Sequence, residues 1–206
     1  MLQDVLLLLV IINPFGQMVY LSELMTKSPT RVFLRIYFSA TILGIIVCLT
    51  FAWLGEIILF DIFQISLAAM RIFGGLIILS VAFTYIRHGP NGVRLFRGEV
   101  TEVAQRIALP LMVGPGVIWM SIKIGNSYFF GIAALIICGA LIFNDILVLT
   151  YFRVIKTAKR PLELAMVKYF AIAMRLNAFM MGAVSVDMIL KGISEYYLNL
   201  AAIPKA

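Results

Sequence analysis

Six long apolar stretches, separated by short segments that carry most of the charge, constrain this chain more than any other feature. They are Val5–Leu24, Phe33–Phe60, Ile62–Ile86, Ile107–Ile124, Tyr128–Tyr151 and Leu164–Leu190. A membrane-spanning helix needs about 20 mainly apolar residues. Hydrophobic residues make up 63% of the chain and charged residues 13%, whereas a soluble domain carries about a quarter charged residues. We therefore predict an all-α membrane protein with six transmembrane spans in a lipid bilayer.

No polar block is long enough to form a separate soluble domain, so the whole of residues 1–206 is predicted to be one integral membrane domain.

Basic residues cluster after the first, third and fifth stretches. They are Lys27, Arg31, Arg35, Arg87, Arg94, Arg97, Arg106, Arg153, Lys156, Lys159, Arg160 and Lys168. The opposite side holds only Lys123, Lys191 and Lys205. Because Lys and Arg are retained on the cytoplasmic side, we predict a multi-pass protein of the cell (plasma or inner) membrane with both termini outside. These loops also account for the net charge of +7, and nothing in the pattern indicates nucleic-acid binding.

Two landmarks recur at nearly the same offset along the chain. Pro14, in Asn-Pro-Phe-Gly, and Pro115, in Gly-Pro-Gly, are 101 residues apart, while Arg71 and Arg175 each follow Ala-Met and are 104 residues apart. This order points to duplication, with one repeat over 1–98 and the other over 99–206. Three spans per half would insert the second half from the opposite side, which gives an inverted repeat and is typical of alternating-access transporters.

The first and fourth spans are each predicted to be broken by proline and glycine. Pro14 removes a donor and frees the carbonyl of Val10, and Pro115 does the same for Leu111. Such breaks survive in hydrocarbon only where they are buried in protein or line a wet cavity. One break alone would be an ordinary kink, but a corresponding pair favours a binding site at the helix ends. The predicted substrate-binding residues are Asn13, Pro14, Phe15, Gly16, Gln17, Gly114, Pro115, Gly116 and Val117, with Ser121 one turn beyond the second break.

Ionisable residues inside the spans form a second candidate site. The intramembrane polar residues are Asn144, Asp145, Asp187, Arg71 and Arg175. Charges at such depth are costly and usually face the bundle interior or a water-filled path. Asp145 or Asp187 could carry a coupling proton or ligate a cation, with an arginine nearby. The alternatives are a static Asp–Arg pair or an arginine that reaches the interface.

As a set, these motifs resemble the MarC family, also called the neutral amino acid transporter family. The matching residues are Asn13, Pro14, Gly16, Arg71, Gly74, Gly75, Pro110, Leu111, Gly114, Pro115, Gly116, Arg175 and Gly192. The resemblance covers nearly the whole chain and implies six spans, an inverted repeat and cation-driven transport of small neutral amino acids such as glycine or alanine. Trp119 and Asn177 depart from the usual family pattern, and Trp119 bears on substrate size.

The sequence therefore predicts a secondary transporter for small neutral amino acids, with no cofactor beyond a coupling H⁺ or Na⁺. A passive aquaporin-like channel is the alternative, although the second break lacks a match for Asn13. We find no phosphate-binding loop, zinc motif or paired nucleophile, so we do not expect an enzyme. Substrate identity, coupling ion, direction of transport and oligomeric state stay open.

Overall fold

The computed structural model describes residues 1–88 and 107–201, and helices account for nearly all of them. The helices are α1 (Leu2–Ile12), α2 (Pro14–Lys27), α3 (Thr30–Glu56), α4 (Leu67–His88), α5 (Pro115–Ser127), α6 (Phe130–Thr157) and α7 (Arg160–Ala201). Two π-helical segments, Ile57–Ile62 and Ile107–Met112, extend α3 and precede α5. The predicted all-α class is confirmed. Arg94, Arg97, Arg106 and Lys205 lie outside the described residues.

Five helical segments in this part of the chain are long and apolar enough to cross a membrane. They are Leu2–Lys27, Thr30–Leu59, Leu67–His88, Phe130–Thr157 and Arg160–Leu198. The predicted fourth span, residues 107–124, is not among them. Its chain is divided before Pro115, and α5 has only 13 residues. The predicted break is therefore present, but the described residues contain five span-length segments instead of six.

Two span boundaries also differ from the prediction. The third span was expected to begin at Ile62, but α4 begins at Leu67 after a bend in which Gln64 has a positive φ of 54°. The sixth was expected to end at Leu190, but α7 continues to Ala201. Gly192 lies inside α7, where it allows close packing on α4. A Cβ at this position would lie 3.0 Å from the Ala68 carbonyl oxygen.

The broken segments lie at the centre of the bundle and the long helices surround them. In the first span, 61% of the most apolar window is buried, compared with 22% in α7. Helices α4 and α7 pack antiparallel along one side, where a Cβ at Gly75 would lie 2.9 Å from the Ser185 carbonyl oxygen. Small residues at this crossing let the two backbones approach closely. Among the five span-length segments of the described residues, the one that contains the first break is therefore the most buried.

Candidate functional site

The first break is organised by Asn13, which ends α1 and begins α2. Its backbone is left-handed, with φ 53° and ψ 74°, a conformation that asparagine tolerates better than most residues. Its side-chain Oδ1 accepts a hydrogen bond of 2.9 Å from the Gly16 amide. A Cβ at position 16 would lie 3.0 Å from the Asn13 Nδ2. Asparagine and glycine therefore both suit this tight cap.

The carbonyl side of the same break is satisfied by side chains. The predicted release of the Val10 carbonyl is confirmed, because that oxygen accepts a 2.9 Å hydrogen bond from Asn177 Nδ2 on α7. The Ile12 carbonyl accepts one of 3.3 Å from Gln17 Nε2. Asn177, which departs from the family pattern, thus has a structural role that its position in the sequence does not reveal.

The second break has no comparable side-chain cap. Gly114 precedes α5 in an extended conformation, with φ −86° and ψ 174°, and its carbonyl accepts hydrogen bonds from the Val117 and Ile118 amides. Before it, Leu109 has a non-helical backbone. Ser121 does not reach back to the break, because its hydroxyl donates to the Val117 carbonyl. The N-terminal end of α5 is consequently less covered by polar side chains than that of α2.

The two breaks lie next to each other. A Cβ at Gly116 would lie 3.3 Å from Ile11 Cγ2 on α1 and 2.2 Å from Ile78 Cδ1 on α4. A Cβ at Gly74 would lie 3.6 Å from the Pro115 carbonyl oxygen. The start of α5 therefore touches both the end of α1 and the middle of α4. The second break therefore lies beside the end of α1, next to the first break.

Gln17 connects the first break to polar side chains on two other helices. Its Oε1 accepts hydrogen bonds from the Tyr37 hydroxyl at 3.3 Å and from Asn144 Nδ2 at 3.2 Å. Asn144 Nδ2 also lies 3.3 Å from the Tyr37 hydroxyl. All three side chains are completely buried. A continuous polar network thus runs from the Ile12 carbonyl into the middle of α6.

Asp145 lies at the end of this network and is 7% exposed. The hydroxyls of Thr41 and Tyr37 lie against its carboxylate. Its Oδ1 and the Oδ1 of Asn144 are both buried without a hydrogen-bond partner among the described residues. Unsatisfied buried oxygens are uncommon in folded proteins, so this cluster is the second candidate site.

The other intramembrane charges do not face Asp145. Arg71 forms a salt bridge with Glu195, and its guanidinium lies 4.8 Å from the centre of the Trp119 ring. Asp187 is 59% exposed at its side chain and pairs with Lys191 at 2.8 Å. Arg175 is exposed on α7. In the described part of the chain, no salt bridge joins Asp145 or Asp187 to an arginine, so the alternative of a static Asp–Arg pair is not observed.

The aromatic and aliphatic members of the predicted site are packed. Phe15 stacks on Phe170 of α7, with ring centroids 6.2 Å apart. Val117 is buried on α5. Trp119 is also buried, and its Nε1 has no hydrogen-bond partner among the described residues.

Sequence reasoning missed several polar residues that the fold brings together. Thr41 and Tyr37 stand inside an apolar stretch with no motif around them. At the end of the bundle near Met1, Asp4 forms a 2.9 Å salt bridge with Lys123 and accepts a 2.8 Å hydrogen bond from Tyr128. That hydrogen bond raises the pKa of the Tyr128 hydroxyl. The available signal was that Asp4 and Lys123 both lie at the predicted outer ends of their stretches.

Comparisons with known proteins agree with the helical membrane architecture. A family model described as MarC family integral membrane protein matches residues 1–197. The chain is similar to a UPF0056 membrane protein of Methanocaldococcus jannaschii, with 28% identity over 191 residues, covering 89% of this chain and 90% of that protein. It is also similar to a UPF0056 membrane protein of Pyrococcus horikoshii, with 29% identity over 124 residues, covering 60% of this chain and 61% of that one. No solved structure matches the chain.

Proposed function

The chain belongs to the MarC family of integral membrane proteins, and from that premise we propose that it is a secondary transporter for small neutral amino acids such as glycine or alanine. Transport proceeds by alternating access and is coupled to a proton or sodium gradient. The observation that carries this proposal is the direct contact between two broken helices in the protein interior, where Gly116 lies against Ile11. Backbone groups opened at such a depth are otherwise costly.

The polarity of the helix ends supports a zwitterionic substrate. The N-terminal end of α5 at Pro115 and Gly116 attracts an anionic group such as a carboxylate. The carbonyls at the end of α1 attract a cationic group such as an ammonium. The substrate contacts the chain at Asn13, Pro14, Phe15, Gly16, Gln17, Gly114, Pro115, Gly116 and Val117. The close approach of Ile78 and Ile11 to Gly116 favours glycine or alanine over larger amino acids.

The packing supports the proposed inverted repeat of residues 1–98 and 99–206, in which the short fourth segment takes the place of a span. Helix α2 packs on α6, and its counterpart α5 packs on α3. The third helix of each half, α4 or α7, packs on the other in an antiparallel arrangement. This exchange of neighbours is what a two-fold axis in the membrane plane would produce.

The proposed orientation places both termini outside the cell. Lys156 Nζ contacts the carbonyl oxygens of Met25 and Ser28 at 3.2 and 2.8 Å. The basic residues after the first and fifth spans therefore lie at the same end of the bundle. Retention of such residues in the cytoplasm supports this topology.

Counterflow in liposomes tests the proposal. Protein reconstituted into vesicles loaded with unlabelled glycine is expected to accumulate labelled glycine transiently, because a carrier exchanges substrate across one site. A panel with alanine, serine and leucine measures the size limit. Flux that rises linearly with concentration and shows no counterflow would contradict a carrier and favour a channel. Absence of any amino acid flux would remove the substrate assignment.

Coupling is assigned to Asp145, since Asp187 is exposed and paired with Lys191. Asp145→Asn is expected to abolish gradient-driven accumulation and to spare counterflow. The matched control is Asp61→Asn, because Asp61 is exposed between α3 and α4. Full accumulation by Asp145→Asn, with proton and sodium gradients imposed separately, would remove Asp145 from the mechanism.

A further inference from the structure

We propose that the buried oxygens around Asp145 form a binding site for one sodium ion, an assignment that rests on the proposed function and specifies its coupling ion. Thr41 and Tyr37 contribute hydroxyl oxygens from α3, and Asn144 and Asp145 contribute amide and carboxylate oxygens from α6. Each helix belongs to a different half of the chain. A cation held between them would respond to movement of one half against the other.

The first argument is charge. A buried carboxylate without a cation is strongly unfavourable in a low-dielectric interior. Among the described residues, no lysine or arginine forms a salt bridge with Asp145. The basic side chains near the interior are engaged elsewhere: Arg71 with Glu195 and Lys123 with Asp4. None of the basic side chains in residues 1–88 and 107–201 therefore neutralises Asp145, and we assign that role to a bound cation.

The second argument is the pair of unsatisfied oxygens. Asn144 is fully buried, and its Nδ2 is held by Gln17 and Tyr37 at 3.2 and 3.3 Å. This fixes the amide so that its Oδ1 is the atom left without a partner, as is Oδ1 of the adjacent Asp145. Two acceptors without donors on neighbouring residues are what an oxygen-preferring cation requires.

The hydroxyls complete the donor set. Thr41 Oγ1 can donate to the Tyr37 carbonyl at 3.2 Å, and the Tyr37 hydroxyl can donate to Gln17 Oε1 at 3.3 Å. When they do so, their lone pairs are free for a cation at the carboxylate. Without a cation, either hydroxyl can turn and donate to Asp145 instead. The same residues therefore serve both states of the site.

The charge of the ligands selects a monovalent ion. The site has one carboxylate and otherwise neutral oxygens, whereas calcium and magnesium sites generally use several carboxylates or waters. A proton would neutralise Asp145 but would supply only one new hydrogen bond. A sodium ion contacts both unsatisfied oxygens and the hydroxyls together.

The ion site is connected to the proposed substrate site through Gln17. The Gln17 Oε1 accepts hydrogen bonds from Asn144 and Tyr37, and its Nε2 donates to the Ile12 carbonyl at the first break. Ion binding that draws on Asn144 or Tyr37 changes the hydrogen bonds of Gln17. Gln17 is therefore a positioning residue through which the ion affects the carbonyl end of α1.

The test is direct binding of radioactive sodium to the purified full-length protein, with choline replacing sodium as the reference. Wild type is expected to bind sodium saturably, with competition by acid. Asp145→Asn should show no saturable binding. Thr41→Val, which keeps the shape of the side chain, should weaken binding about tenfold. The matched controls are Asp61→Asn and Thr50→Val, because Thr50 lies on the exposed face of α3 and donates only within that helix.

The outcomes separate this proposal from the transporter assignment. Sodium binding that survives Thr41→Val unchanged overturns the site, and so does an absence of saturable binding to wild type. If Asp145→Asn does not yield folded protein, the Thr41→Val result decides. Glycine accumulation that is driven by a proton gradient and does not respond to an imposed sodium gradient overturns the sodium site while leaving the carrier in place. Sodium binding without amino acid counterflow leaves the ion site and removes the carrier.

Discussion

The two helix breaks begin from similar residues but satisfy their backbones in different ways. At the first, Asn13 caps the Gly16 amide, while Gln17 and Asn177 take the carbonyls of Ile12 and Val10. At the second, Gly114 supplies no side chain, and the helix that follows is held by close packing. The first break is stabilised by hydrogen bonds within the protein. The second has no side-chain cap, which is why we propose it as the substrate-binding end.

This difference teaches that a proline-glycine break is not by itself a binding site. A break becomes one when the exposed groups lack protein partners and when a neighbour brings complementary groups close. In our proposal the uncapped second break supplies the amides, and the carbonyl end of the adjacent α1 supplies the complementary groups. Substitutions within each of the two breaks can test this division of roles.

The largest difference is expected between Gln17 and Ser121. Gln17→Leu removes the hydrogen bonds of Gln17 to Asn144, Tyr37 and the Ile12 carbonyl, although Asn144 and Tyr37 still bond each other, and should lower the free energy of unfolding by about 3 kcal/mol. Ser121→Ala removes a hydrogen bond within α5 and a side-chain contact with Cys48, and should change it by about 1 kcal/mol or less. Unfolding in detergent micelles measures both. Equal effects would mean that the breaks are stabilised alike.

An intermediate difference in unfolding free energy is expected between substitutions at Gly116 and at Gly16, the glycines that follow the two prolines. Gly116→Ala forces Ile78 aside and should cost about 2 kcal/mol of unfolding free energy. At Gly16, crowding of the Asn13 side chain is offset by the better helix propensity of alanine, so the change should be close to zero. Ile78→Ala should relieve the effect of Gly116→Ala in a double-mutant cycle. Additive effects would show that Ile78 is not the obstacle.

The smallest stability effect is expected when the caps are exchanged. Asn13→Gly keeps the left-handed backbone but loses the cap, at about 0.5 kcal/mol, and Gly114→Asn gains a similar amount. Gly114→Asn should nevertheless slow glycine counterflow, because its side chain would occupy the amides proposed to bind the carboxylate. Gly114→Ala, which cannot cap, is the matched control. Faster counterflow in Gly114→Asn would contradict an anion site at this helix end.

The backbone breaks could be predicted from the sequence because they follow from a local rule. Pro14 has no amide hydrogen wherever it stands in a helix. The partner of the freed Val10 carbonyl could not be predicted, since Asn177 is 167 residues away. Thr41 and Tyr37 gave no signal because hydroxyl residues are common in membrane helices. Their importance depends on the packing of α3 against α6.

The pairing of Arg71 was missed for a related reason. The sixth span was expected to end at Leu190, which left Glu195 outside the bundle. In the structure α7 continues past it, and the Glu195 carboxylate reaches the Arg71 guanidinium. Continuation beyond the apolar stretch depends on packing against α4 and is not specified by hydrophobicity. With the helix expected to end at Leu190, Glu195 was not considered as a partner of Arg71, and only an aspartate was.

The length of α7 has a mechanical consequence. At 1.5 Å per residue its 42 residues extend about 63 Å, roughly twice the thickness of the bilayer hydrocarbon. It packs closely on α4 from Gly192 to Ser185, and Phe170, further along, stacks on Phe15 beside the first break. When a rigid helix tilts about a contact near one end, the displacement of its residues grows with their distance from that contact. A tilt of about ten degrees about Gly192 would displace Phe170 by roughly 6 Å. A small change in the angle between α7 and α4 would therefore move the residues beside the first break by several ångströms.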